Sequence, residues 1–122
     1  EESGKKVVLI SSHSLSHRHF VTESPLPEDM SREHIYNHSQ YVWDMKLVDL
    51  MREGKMRELI DILPEFTEQT IAETEAGGLT WMMSAMGFPQ YSAEIYGYQS
   101  VIGTGNLVAA WDPNGVTREI VL

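Results

Sequence analysis

Four consecutive apolar residues, Val7-Val8-Leu9-Ile10, follow a polar opening of Glu1-Glu2-Ser3-Gly4-Lys5-Lys6. An uninterrupted aliphatic run with β-branched residues marks a strand covered on both faces, the central position of an α/β sheet. A strand of that kind needs neighbours on either side, and in the rest of the chain only the C-terminal end offers them. The chain also opens without Met. Together these features lead us to expect one domain over residues 1–122 that is a piece of a larger protein, with a small sheet closed by the C-terminal strands as the alternative.

Beyond the run lies a polar stretch, Ser11-Ser12-His13-Ser14-Leu15-Ser16-His17-Arg18-His19-Phe20, with no helical periodicity, leading to Pro25 and Pro27, which favour extended or turn backbone. It reads as a long loop leaving the C-terminal end of a strand, the place where open α/β sheets bind ligands. From about Ser39 the period changes. Trp43, Leu47, Leu50 and Met51 recur at helical spacing before Gly54, a stop signal. A short second helix is expected over Lys55–Leu63, ended by Pro64. A third is expected from Pro64 to about Met86, with Glu65 and Glu68 in its first turns and Gly87 and Pro89 after it. Strand patterns then cover Ala93–Tyr98, Asn106–Trp111 and Val116–Val121, the last two separated by a turn at Asp112-Pro113-Asn114-Gly115. Gly103-Thr104-Gly105 lacks the third glycine and following helix of a dinucleotide loop and reads as a bend between strands. The predicted architecture is mixed α/β: strand, long loop, three helices, then two to three strands.

Charge and composition narrow the function. With 9 Lys+Arg against 18 Asp+Glu, the net charge of −9 opposes general nucleic-acid binding and attraction to anionic lipid. No apolar run approaches the roughly 20 residues of a membrane helix, and the opening residues do not form a secretory signal. The absence of cysteine excludes disulfides, thiolate metal sites and a cysteine nucleophile, and accords with a cytoplasmic location.

All five histidines, His13, His17, His19, His34 and His38, lie in the first third of the chain. Imidazole titrates near neutrality and binds metals, so a trio just after a strand is a candidate for acid–base or metal chemistry; the alternative is a solvated polar loop. Familiar motifs do not close around them. His13 and His17 are four apart but lack the glutamate of H-E-x-x-H, and no G-x-S-x-G occurs. Farther along, Glu73 and Glu75 precede Gly77-Gly78 and the apolar Leu79-Thr80-Trp81-Met82-Met83. On one continuous helix, Glu73, Gly77 and Trp81 would share a face, while Glu75 would lie with Ile71, Leu79 and Met82. A carboxylate entering so apolar a segment needs a partner, cationic or imidazole, unless it stays solvated at the helix edge. Met82, Met83 and Met86 read as core.

The succession Ser11-Ser12-His13-Ser14-Leu15-Ser16-His17, then Asp44 and Leu47, then Glu73, Gly77-Gly78 and Trp81, with strands from Tyr98 to Trp111, resembles the C-terminal part of class III (LigB-type) extradiol ring-cleavage dioxygenase catalytic subunits. The resemblance implies a LigB-like layered α/β fold and an Fe(2+) cofactor held by two histidines and one glutamate. It further implies that both iron-binding histidines belong to a preceding portion of the subunit, and that Glu73 is the metal ligand, with Glu75 the alternative. His17 matches the family's catalytic histidine; His13 has no match as firm and is expected behind the residues that touch the metal and substrate. Expected partners are an aromatic substrate with O2, the remainder of the catalytic subunit, and an alpha subunit in a hetero-oligomer. A noncatalytic partner subunit of the same fold and a zinc-dependent hydrolase are the competing functions.

Overall fold

In the computed structural model, the described residues are 3–18 and 35–114. The expectations for His19, His34, the prolines at 25 and 27, and the strand Val116–Val121 lie outside them.

Helix α1 (His38–Glu53) begins where Asn37 caps it, the side-chain oxygen accepting from the Gln40 N–H at 2.7 Å. It stops where the sequence predicts, at Gly54, whose φ of 73° is the left-handed cap conformation glycine adopts without strain. Leu47 and Met51 are fully buried and Trp43 and Leu50 pack against them, as the helical spacing predicts.

Helix α2 (Met56–Thr70) departs from expectation. Pro64 lies inside it rather than between two helices. Proline forfeits one backbone hydrogen bond, but Leu59, Leu63, Phe66 and Thr70 form a continuous buried stripe along the helix. Packing of that stripe outweighs the local break. Thr70 closes the helix by donating its hydroxyl to the Phe66 carbonyl at 2.7 Å.

The expected helix from Pro64 to Met86 is interrupted instead. Ile71, Thr74, Glu75 and Ala76 all have positive φ, a conformation that costs side-chain-bearing residues about 1–3 kcal/mol each. A tight turn over Glu73–Ala76 follows α2, and only then does α3 (Gly77–Ala85) begin. Glu73 and Trp81 therefore do not share one helix face, nor does Glu75 lie with Leu79 and Met82.

Strands β1 (Glu94–Val101) and β2 (Thr104–Ala110) form an antiparallel hairpin, closed at Ile102-Gly103 with φ of 52° and 82°. Left-handed backbone at both central residues matches the twist of the flanking strands. A register shift between Ile95 and Gly97 resets the alternation, so that Ile95, Tyr98 and Ser100 all turn toward the core while Tyr96 faces out. The core gathers Leu47, Val48 and Met51 of α1, Met56, Leu59, Leu63 and Phe66 of α2, and Leu79 and Met83 of α3.

Val7–Ile10 is the main correction. Among the described residues it pairs with no strand, and Val7, Val8 and Ile10 are 73%, 84% and 80% exposed. The sheet described has two strands, β1 and β2, bonded to each other. The apolar run records a preference for burial that the described residues do not satisfy. Two of the expected strands are present and the helices number three, the second and third with bounds other than expected; the fold is mixed α/β.

Candidate active site

Leu15, Ser16 and His17 are threaded between the tip of the hairpin and the interruption that follows α2. On one side, the Leu15 N–H donates to Gly105 O at 2.8 Å and the Gly105 N–H donates to Ser16 O at 3.0 Å. On the other, Ser16 bridges Ala72, the His17 N–H donates to Thr70 O at 3.4 Å, and the Glu73 N–H donates to Leu15 O at 3.4 Å. This three-residue segment acts as a short added strand joining two parts of the chain far apart in sequence. Had the helix run on through residues 71–76, their backbone N–H groups would be spent internally. The turn instead leaves the Glu73 N–H and the Thr70 carbonyl to receive the segment.

The consequence is an encounter between His17 and Glu73. His17 Nδ1 stands 3.7 Å from Glu73 Oε2, with side chains 34% and 30% exposed. The same oxygen accepts the backbone N–H of Ser14 in a short hydrogen bond. That bond holds the Glu73 carboxyl below its ordinary range; partial burial opposes it, while the Ser14 hydroxyl and the imidazoles of His17 and His13 add to it. Glu73 is thus an ionised, partly exposed carboxylate fixed by main chain, suited to receive a proton donor or a cation. Glu75, two residues on, is exposed, and the structure does not bring it to His17.

His13 lines the other side of Glu73. Its Nδ1 lies 3.0 Å from Ser11 Oγ, and burial lowers its pKa, with Glu73 pulling the other way. The ring rests against α3 at Gly78, where a Cβ would come within 2.7 Å of His13 Nδ1 and 2.9 Å of Ser11 Oγ. The second glycine of the Gly77-Gly78 pair therefore makes room for an imidazole. Next to His17, the Arg18 guanidinium stacks 5.0 Å above the Tyr36 ring.

Sequence reasoning named Asp44 in the resemblance but gave it no role, although it is a fully buried polar group of this region. It lies on α1, beneath Ser16. Its Oδ1 accepts the Ser16 N–H at 3.0 Å, and its Oδ2 accepts the Ser16 hydroxyl at 2.6 Å and the Tyr98 hydroxyl at 2.5 Å. Burial raises the Asp44 pKa and these donors offset part of the rise; burial and Asp44 together push the Tyr98 phenol up as well. A signal was present. Asp44 sits one turn before buried Leu47 on the apolar side of a predicted helix, where a carboxylate needs partners. Among the described residues, no group of three His, Asp or Glu side chains is arranged to hold a metal. Nor, among them, is any helix long and apolar enough to cross a membrane.

Residues 1–109 match the family described as the catalytic LigB subunit of aromatic ring-opening dioxygenase. Over 111 residues the chain is 49% identical to a 2-aminophenol 1,6-dioxygenase beta subunit from Pseudomonas sp., an alignment covering 91% of this chain and 36% of that protein. The chain thus spans about a third of the length of that relative.

Proposed function

This chain belongs to the LigB family, and on that premise we propose that it is the C-terminal segment of a non-heme Fe(II) extradiol dioxygenase catalytic subunit. The reaction proposed is insertion of O2 into an aminophenol or catechol, with 2-aminophenol opening to 2-aminomuconate 6-semialdehyde. The observation that carries the reading is the approach of His17 to Glu73 at 3.7 Å, between segments 56 residues apart in sequence.

Glu73 suits one oxygen position of a ferrous site: it is ionised, partly exposed, and oriented by the Ser14 N–H. His17 is the proposed base, and the two iron-binding histidines are assigned to the remainder of the subunit. Ferrous ion, when bound, supplies positive charge that acidifies a coordinated hydroxyl and an electron path between ring and O2. The chain's own part is proton handling and placement. In this reading, His17 Nε2 or Nδ1 accepts the hydroxyl proton of the bound ring and returns it later in the cycle, as a ring nitrogen that can both accept and donate. His13, leaning on Gly78, closes the far side.

The exposed Val7–Ile10 run accords with a strand that the rest of the subunit would cover. An alpha subunit is proposed as partner because the relative is a beta subunit, and a cytoplasmic location because the chain has no cysteine. The test is oxygen uptake by the complete catalytic subunit, with its partner, on 2-aminophenol. The reading expects uptake that requires ferrous ion and matches ring opened. Turnover without O2 would indicate hydrolysis, and an iron-loaded subunit inert toward aminophenols and catechols would indicate a noncatalytic partner. The 122-residue chain alone is expected to hold Fe(II) weakly and to be inactive.

A further inference from the structure

Asp44 lies outside the chemistry just described, yet its position is unusual for a residue that serves packing alone. Ser16 immediately precedes His17, Ala72 immediately precedes Glu73, and Ser16 and Ala72 are bridged to each other. Asp44 holds Ser16 twice, through its N–H at 3.0 Å and its hydroxyl at 2.6 Å. The backbone pair that launches both site residues is therefore clamped at one point by one carboxylate. Tyr98 secures that carboxylate from the hairpin at 2.5 Å, and Gly105, which bonds both Leu15 and Ser16, has no side chain at the spot the carboxylate occupies. Elements from three parts of the chain converge to seat Asp44. A fully buried carboxylate is a costly way to fill a core, and apolar residues of similar volume do it as well or better.

We propose that Asp44 is a positioning residue for His17: its clamp on Ser16 fixes the backbone from which the imidazole reaches Glu73. The inference rests on the catalytic reading of His17. Displacements of about 1 Å in a catalytic group cost up to about a hundredfold in rate, so loosening the clamp acts on kcat rather than on substrate affinity.

The test is a double-mutant cycle in the complete, iron-loaded catalytic subunit. Asp44→Asn keeps an acceptor for the Ser16 N–H and is the least disruptive change; Ser16→Ala, which removes one of the two bonds, is the second probe. Each is expected to lower kcat, Asp44→Asn by about tenfold or more, with KM within about twofold. In a His17→Ala background the same substitutions are expected to cost nothing further, because their effect passes through the imidazole. An undiminished loss in that background, or unchanged kcat in both single variants, overturns the inference. Failure of the catalytic reading itself has a different signature: full kcat in the His17→Ala single variant.

Discussion

Gly105→Ala is the substitution on which general expectation and this structure disagree in sign. In a strand, alanine restricts the unfolded chain more than glycine and by that effect stabilises by about 0.5–1 kcal/mol. Here a Cβ at position 105 would fall on the Asp44 carboxylate, 2.8 Å from its Cγ and 2.5 Å from the Tyr98 hydroxyl. The methyl cannot be accommodated by a floppy side-chain end, because Asp44 and Ser16 are buried and Gly105 is itself held through both its N–H and its C=O. Asp44 must turn away, and its three hydrogen bonds go with it. Bonds to a charged acceptor are worth about 1.5–3 kcal/mol each; partial re-pairing of the donors brings the net loss to about 3–5 kcal/mol. That is a large share of the roughly 5–15 kcal/mol a domain possesses. Gly97→Ala, in the partner strand with nothing within 4 Å of its Cβ, is the control and is expected to be neutral or slightly stabilising. Urea unfolding of the two variants, followed by far-UV circular dichroism with equal m-values, reads the difference. Equal midpoints for Gly105→Ala and Gly97→Ala would refute the close approach of Gly105 to Asp44 and the geometry of the clamp with it.

Two further predictions concern the other side of the site. Gly77→Ala meets only the Thr74 side chain, no closer than 3.5 Å, and should stabilise α3 by up to about 1 kcal/mol, whereas Gly78→Ala drives a methyl to 2.7 Å from His13 and should lose that gain or reverse it, as compared by thermal unfolding midpoints. His13 has a lowered folded-state pKa, so its neutral form is favoured by folding; its contribution is complete above the unfolded value of about 6.5 and falls away as pH drops below that value toward the folded one. His13→Gln should flatten this part of the stability–pH curve, and an unchanged slope between about pH 6.5 and pH 5 would contradict the burial assigned to the ring.

The parts legible in the sequence are those governed by local pattern. Helix α1 could be placed because Leu47, Leu50 and Met51 recur at its period and Gly54 ends it; the hairpin could be placed because β-branched and aromatic runs flank a glycine-containing turn. Pro64 misled because its local cost is visible in the sequence and the buried stripe of Leu59, Leu63 and Phe66 acts only in three dimensions. The break at residues 71–76 was illegible for a stronger reason. Ile71 and Thr74 are β-branched residues little expected to be left-handed, and the turn they make is held from outside, by the Leu15–His17 segment bonding the backbone at Thr70 and Glu73. The same event brings Glu73 to His17. Both residues could be singled out from the resemblance, but the strained turn that brings them together leaves little trace in periodicity; of the means, only Asp44, on the apolar side of α1, does.

Iron content and turnover measured together on three forms of the complete catalytic subunit test the shared site of His17 and Glu73 most directly. With one residue as proton carrier and the other as ligand, His17→Ala should retain ferrous ion at wild-type stoichiometry and lose most oxygen uptake with 2-aminophenol, while Glu73→Gln should lose the ion as well. Full oxygen uptake in His17→Ala, or undiminished iron in Glu73→Gln, would contradict that division of labour.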